Sequence, residues 1–299
     1  MHYRILGKSG LKISEIGLGC MSIPAADEVM GIKIIHHAME LGINYFDTAD
    51  LYDKGVNETI VGKALKGKRD KVVLATKVGN QWKSDGSGFV WNPRKEYILE
   101  AVEGSLRRLQ TDHIDLYQLH GGTIEDPIDE TIEAFELLKT QGKIRHYGIS
   151  SIRPNVIREY VKRSNITSVM MQYSLADRRP EEEMLDFLHA NNIGVLARGS
   201  LAQGMLVNKP AKEYLGHSVA DLARGQAAVQ SLERENRTAA QAAIRYVLHH
   251  PAISAAIVGV STIEQLVEVA STSNSESLTT TEYKILCEAL PSKFYEQHR

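Results

Sequence analysis

A (β/α)8 barrel is the fold class this chain predicts, and three observations predict it. Short apolar, β-branched runs alternate with amphipathic segments along all 299 residues. The apolar runs are near-continuous rather than strictly alternating, which suits parallel strands covered on both faces. Four polar residues able to do proton chemistry stand at or just beyond the ends of such runs, where a parallel barrel builds its site.

Residues 3–14 (YRILGKSGLKIS) place Gly10 between two apolar stretches and read as an N-terminal hairpin capping the barrel floor. Eight strands follow, at 15–20, 43–48, 71–76, 114–120, 145–150, 166–173, 193–198 and 253–259. Helical patterns at 27–41, 94–109, 128–141, 154–163, 180–191 and 238–249 lie between them. The first sets Val29, Ile32, Ile35 and Met39 along one stripe, and Leu41-Gly42 marks its stop. The second follows Asn92-Pro93 and carries Ile98, Val102, Leu106 and Leu109 at helical spacing; Thr238 suits the N-cap of the last. Residues 78–93, rich in glycine and polar residues and holding both tryptophans, read as a long loop after the third strand. Residues 205–237 separate the seventh strand from its helix and contain a helical stretch near 218–235. A C-terminal helical extension completes a single domain over residues 1–299, with no linker, repeat or low-complexity tract. The competing architecture is a doubly wound sheet, which usually opens on a glycine-rich fingerprint. GLGCMS (17–22) does not match G-x-G-x-x-G, because its sixth residue is Ser22.

Composition narrows the function. A formal net charge of −2 leaves no basic footprint for nucleic acid. The two cysteines, Cys20 and Cys287, give neither a disulfide framework nor metal-ligand spacing, so no metal is expected. The N-terminus is mixed and charged, unlike a signal peptide, and no apolar stretch reaches the ~18 residues of a membrane span. The expectation is a cytoplasmic protein with no membrane partner.

The four polar residues are Asp47 and Tyr52 in YFDTADLY, Lys77 in VVLATK and His120 in IDLYQLH. A phenol titrates near ~10, too high for an efficient acid at neutral pH. A nearby ammonium favours phenolate, and a carboxylate such as Asp47 keeps the ammonium charged. His120 suits a hydrogen bond to the same carbonyl oxygen, stabilising negative charge as it develops. Such a set polarises a C=O and protonates the alkoxide, but it lacks a reductant; no side chain supplies hydride, so a cofactor is implied. Taken singly, each residue has a plainer reading. A strand-end tyrosine is usually a rim residue and a lone histidine usually structural. Lys77 alone also suits a Schiff-base aldolase.

The motifs around these residues resemble the aldo-keto reductase family from about residue 3 to about residue 290. D-T-A-x-x-Y appears at Asp47-Thr48-Ala49-Asp50-Leu51-Tyr52, followed by Glu58 and Gly62. T-K appears at Thr76-Lys77, and D-L-Y-x-x-H at Asp115-Leu116-Tyr117-Gln118-Leu119-His120. G-K-I-R-x-x-G-x-S appears at Gly142 to Ser150. The resemblance implies a barrel that reduces aldehydes or ketones with NAD(P)H, Tyr52 being the general acid supported by Asp47, Lys77 and His120. It also implies cofactor contacts. Ser150, Ser151 (Asn in many members) and Gln172 would meet the nicotinamide carboxamide. Gly199, Ser200, Leu201, Gln203 and Gly204 resemble the loop over the pyrophosphate, and Gly19, Met21 and Asp47 belong to the same set. Arg198 stands where the family commonly stacks an aromatic ring on the nicotinamide, and a planar guanidinium can stack there too. Gly259, Ser261 and Gln265 fall in the adenosine-phosphate segment, with Glu268 facing the adenine amino group. Many NADPH-using members carry Lys or Arg in that segment; this chain has none in 257–266. NADP(H) is the expected cofactor, with NAD(H) the alternative. The helix starting near Thr262 favours an anion.

The expected substrate is a small carbonyl compound, with Trp82, Phe89 and Trp91 suited to walling an apolar pocket and Trp82 equally suited to covering barrel packing. Met21 suits either a ligand contact or a gap in the core, and Cys20 a small buried hydrophobe. A second reading is a redox sensor or regulatory subunit that holds the cofactor with slow turnover. The potassium-channel β subunits of the wider family have a G-x-S-x-x-x-Q segment similar to Gly259, Ser261 and Gln265.

Overall fold

The computed structural model describes residues 1–299. In chain order the strands and helices are β1 (Tyr3–Ile5), β2 (Lys12–Ser14), β3 (Ile16–Gly19), α1 (Glu28–Glu40), β4 (Tyr45–Asp47), α2 (Val56–Leu65) and β5 (Val73–Val78). There follow β6 (Asn80–Trp82), β7 (Phe89–Trp91), α3 (Lys95–Leu109), β8 (Ile114–Leu119), α4 (Ile128–Thr140), β9 (Ile144–Ser150) and α5 (Pro154–Arg163). The last group is β10 (Ser168–Gln172), α6 (Met184–Ala190), β11 (Gly194–Arg198), α7 (Val219–Gln230), α8 (Ala239–Leu248), β12 (Ile253–Val258), α9 (Ile263–Ser271) and α10 (Thr280–Ala289). The parallel strands β3, β4, β5, β8, β9, β10, β11 and β12 close into a barrel in that order. This is the eight-stranded (β/α)8 barrel the sequence predicts, with the N-terminal hairpin and C-terminal helices in place.

Period-two alternation divides the core in two. Outward residues such as Ile16, Leu18, Phe46 and Leu74 pack beneath the helices in one large cluster. Inward residues Tyr45, Val73, Ala75, Leu116, Met170, Leu196, Ala255 and Ile257 fill the barrel, together with Leu6 and Ile13 from the hairpin β1–β2. The hairpin therefore plugs the floor. Gly17 on β3 faces inward where a Cβ would stand 2.8 Å from the Tyr45 ring and 2.6 Å from Ile257 Cδ1, so only glycine admits both side chains.

The inward columns continue upward with polar residues. Asp47 follows Tyr45, Lys77 follows Ala75, Gln118 follows Leu116, Gln172 follows Met170 and Arg198 follows Leu196. Register sets them level. Gly19 lies opposite Asp47, Lys77 opposite Gln118, and Gln172 opposite Arg198.

Several elements differ from the sequence expectation. Lys77 lies inside β5 rather than past its end. Residues 78–93 hold an antiparallel pair, β6 and β7, whose Trp82 and Phe89 meet edge to face across it with ring centroids 5.8 Å apart. The pattern at 180–191 splits into a 3-10 turn, Arg179–Glu182, and α6; Glu183 between them is non-helical at φ −154°. The helical stretch near 218–235 ends at Gln230 and starts with a Ser218–Asp221 capping box. Thr238 caps α8 as expected. Helix α2 has no counterpart among the predicted segments. No helix is long and apolar enough to cross a membrane.

Candidate functional site

The upper layer of the barrel begins with a buried ion pair. Lys77 is 1 % exposed and Asp47 4 %. Lys77 Nζ donates to Asp47 Oδ1, to the Thr48 carbonyl at 2.8 Å and to Tyr52 Oη at 3.4 Å, which uses its three N–H groups. Gln118 Nε2 donates to the other Asp47 oxygen at 3.1 Å. Burial lowers the affinity of Lys77 for its proton, but Asp47 and Tyr52 outweigh that and leave it above the usual lysine range. Burial pushes the Asp47 carboxyl up against the pull of Lys77. Asp47 and Tyr52 thus favour the charged form of Lys77.

Tyr52 enters from the turn after β4 and is half-buried. With Lys77 donating to its oxygen, its own O–H is free to donate elsewhere. Lys77 Nζ also lies 5.1 Å from the Tyr52 ring centroid. His120, just past β8, meets the Tyr52 ring edge-on with centroids 5.8 Å apart. Burial, then the charges of Lys77 and Arg198, push the His120 imidazole down to about 3. It is neutral at physiological pH and has one N–H to donate.

Helix α2 braces this layer from outside. Asn57 accepts from Thr48 Oγ1 at 2.7 Å and donates to the Cys20 carbonyl at 2.8 Å. Glu58 accepts from Thr76 Oγ1 at 2.6 Å and from Arg108 Nε at 2.7 Å, fixing the residue before Lys77. Nearby, burial and the Glu58 charge push the Asp50 carboxyl up to about 7. Cys20 is fully buried, its thiol pushed up by burial and then by Asp47.

The residues expected at a cofactor rim the same end of the barrel. Arg198 donates to Gln172 Oε1 at 3.1 Å, and Gln172 Nε2 donates to Tyr214 Oη at 2.7 Å. Ser151 is buried, and its hydroxyl accepts from the Arg153 N–H. Ser150 ends β9, and Gly19 ends β3. Met21 is 64 % exposed, so it fills no gap in the core. After β11 the chain turns through left-handed conformations at Gly199, Ala202, Gln203 and Gly204, with Leu201 between. Ser200 Oγ is buried there without a protein partner. Past β12, Gly259 leads to Ser261, whose N–H and hydroxyl both donate to Gln265 Oε1, at 2.9 and 3.2 Å. Thr262 caps α9 by accepting from the Gln265 N–H. Glu268 Oε1 accepts from Thr238 Oγ1 at 2.8 Å.

Sequence reasoning missed Gln118, Asn57, Glu58 as a brace, and Tyr214. Gln118 had a signal, since it lies two residues after the inward Leu116 on the same strand face. Tyr214 had none, lying in a non-helical stretch 42 residues from Gln172.

A family model described as the aldo/keto reductase family matches residues 15–290. Among curated proteins, the chain is 50% identical over 308 residues to an uncharacterized oxidoreductase, YqkF, of Bacillus subtilis (strain 168), covering 100% of both. It is 38% identical to the aldo-keto reductase YhdN of the same organism, over 72% of this chain and 66% of that one. Its structure is similar to the holo form of aldo-keto reductase AKR11C1 from Bacillus halodurans, with a TM-score of 0.94, 49% identity, and coverage of 100% of this chain and 99% of that one. An aldo/keto reductase from Klebsiella pneumoniae in complex with NADP and acetate superposes with a TM-score of 0.81 at 28% identity, covering 98% of this chain and 96% of that one.

Proposed function

The chain belongs to the aldo/keto reductase family, and from that premise we propose that it reduces small aldehydes or ketones to alcohols with NADPH, Tyr52 being the general acid. One observation carries this reading: Lys77, buried and held charged by Asp47, gives its remaining side-chain hydrogen bond to Tyr52 Oη. That ammonium favours the phenolate left behind when Tyr52 gives up its proton.

The residues at the barrel mouth fit a nicotinamide dinucleotide. The orphaned Ser200 hydroxyl lies in a glycine-bounded turn whose backbone can approach an anion closely. Gln265 keeps its amide nitrogen free while its oxygen holds Ser261, and α9 points its N-terminus outward beside them. In this reading Ser150, Ser151 and Gln172 hold the carboxamide and Arg198 stacks on the ring. Gly19, Met21 and Asp47 border it. Gly199, Ser200, Leu201, Gln203 and Gly204 wrap the pyrophosphate. Gly259, Ser261 and Gln265 take the 2′-phosphate end, and Glu268 uses its second oxygen for the adenine amino group. NADP in the Klebsiella pneumoniae relative supports the choice of cofactor.

The cofactor supplies a hydride when bound. The protein does the rest. Neutral His120 donates a hydrogen bond to the carbonyl oxygen and stabilises the charge that develops there. Tyr52 passes its proton to that oxygen. Lys77, unable to lose its proton beside Asp47, stabilises the phenolate until solvent restores it.

Fluorescence titration with NADPH and NADH, followed by absorbance decay with a panel of aldehydes, tests this. Tight NADPH binding with turnover is expected. Binding without turnover on any carbonyl would shift the reading to a redox sensor, and binding of neither cofactor would remove it.

A further inference from the structure

Beside the candidate centre lies an open groove of about 490 Å³ lined by Leu51, Asp53, Lys54, Trp82 and Phe89. Leu51 and Asp53 flank Tyr52, while Trp82 and Phe89 project from the β6–β7 hairpin. The aromatic pair gives the groove an apolar wall for a carbon skeleton to lie against. Nothing apolar in that wall explains Lys54.

Lys54 Nζ stands 5.2 Å from the Trp82 ring centroid and forms no ion pair. Lys54 rests on an aromatic face instead, and the backbone that puts it there is strained. Asp53 (φ 49°, ψ 38°) and Lys54 (φ 54°, ψ 38°) are consecutive non-glycine residues in left-handed conformation, followed by Gly55 at φ 86°. Side chains resist that region because Cβ crowds the following carbonyl oxygen. Strain held beside a reactive group, with a free charge at its crest, is the pattern of a ligand clamp. Across the mouth, Arg198 also lacks a carboxylate partner; it bonds only Gln172. Within the groove Lys54 and Asp53 are the two charged lining residues, and neither holds an ion pair.

We propose that Lys54 binds a carboxylate of the substrate, so that the protein selects aldehydes or ketones bearing a carboxylate on an aromatic or apolar skeleton. The skeleton lies against Trp82 and Phe89, the carbonyl reaches Tyr52, and the carboxylate meets the ammonium. Asp53 opposes this binding and sets its sign. The assignment rests on the carbonyl-reductase reading above.

The test compares 4-carboxybenzaldehyde with its neutral isostere 4-formylbenzamide at saturating NADPH, reading the ratio of their kcat/KM values within each variant. Wild type favours the carboxylate. In Lys54→Met that ratio falls about tenfold, in Lys54→Arg it is retained, and in Asp53→Asn it rises about threefold. An unchanged ratio in Lys54→Met, with both aldehydes turned over, overturns the role of Lys54 and leaves the reductase reading standing. Failure of wild type to reduce either aldehyde while other carbonyls are turned over overturns the proposal alone; no turnover of any carbonyl, with NADPH bound, removes the reductase reading and the proposal together.

Discussion

At the floor of the barrel, Glu15 is 3 % exposed and fully engaged. Arg4 donates to one oxygen through Nε and Nη2, at 3.3 and 3.0 Å, while Arg245 Nη1 at 3.4 Å and Ser273 Oγ at 3.0 Å donate to the other. At the mouth, Asp47 is buried as deeply and holds Lys77 and Gln118. Both ends bury a carboxylate against a cation, yet only one suits chemistry. The difference lies in where the cation's spare hydrogen bonds go. Arg4 and Arg245 spend theirs on backbone carbonyls of Leu248, Ile253 and Ser275, which locks the hairpin to α8 and β12. Lys77 sends one to Tyr52, a group with a proton to give. What lies one bond beyond a buried ion pair decides whether it only holds the fold or, as proposed for Lys77, also serves a reaction.

The strongest way to break that contrast is to remove the proposed proton donor. Tyr52→Phe should lower kcat by roughly 10²–10⁴-fold, the usual worth of a positioned acid, with circular dichroism and NADPH binding unchanged. Glu15→Gln should leave kcat/KM within about twofold at temperatures where it stays folded. Equal losses of activity in the two variants would erase the distinction between the ends.

Next in size is stability. Lys77→Met strands Asp47 and should cost about 3–5 kcal/mol in denaturant unfolding, besides abolishing turnover. The double variant Asp47→Asn, Lys77→Met should regain much of the stability and none of the activity. Activity that returned with stability would mean Lys77 is only a strut.

A pH titration sharpens the comparison further. The His120 imidazole sits at about 3 in the folded protein against an ordinary 6.5. As pH falls from 6.5 toward 3, the unfolded chain takes up a proton that the folded chain refuses. Folding should therefore weaken by up to roughly 1.4 kcal/mol per pH unit. Asp50, held at about 7, slopes the opposite way between 3.8 and 7, because there the folded chain keeps the extra proton. The informative quantity is the difference between wild type and His120→Asn. Identical pH slopes would show that His120 is not held neutral. The smallest effect should come from Tyr214→Phe, which frees Gln172 Nε2 and should shift NADPH Kd by about threefold or less, read by titration.

Much of this was legible in the sequence. Asp47, Lys77 and His120 stand where apolar runs end, and the same alternation that buries Tyr45, Ala75 and Leu116 predicts that residues two further on cap those columns. Helix α2 was hidden for a physical reason. Its start, Gly55, offers no side-chain cap, and burial spreads over Asn57, Glu58, Ile60, Val61, Gly62, Ala64 and Leu65, so it shows little polar–apolar contrast. The β6–β7 hairpin was masked by Ser84, Asp85, Gly86, Ser87 and Gly88, which supply the turn but read as loop. Lys54 drew no notice because left-handed strain is a property of coordinates, and no residue pattern announces it.

The hairpin seated in the floor makes the barrel a cup, not a tube. With Leu6 and Ile13 wedged beneath Tyr45, Leu116 and Met170, the interior below the Lys77 layer offers no room that can be enlarged cheaply. Trimming any of those side chains to alanine would leave a sealed void at a cost of about 2–5 kcal/mol and give a bulkier molecule nothing to enter. Anyone redesigning this protein for larger compounds should therefore work at the brim, on residues 51–55 and 80–91. Changes there extend the wall outward while the sealed base keeps its shape.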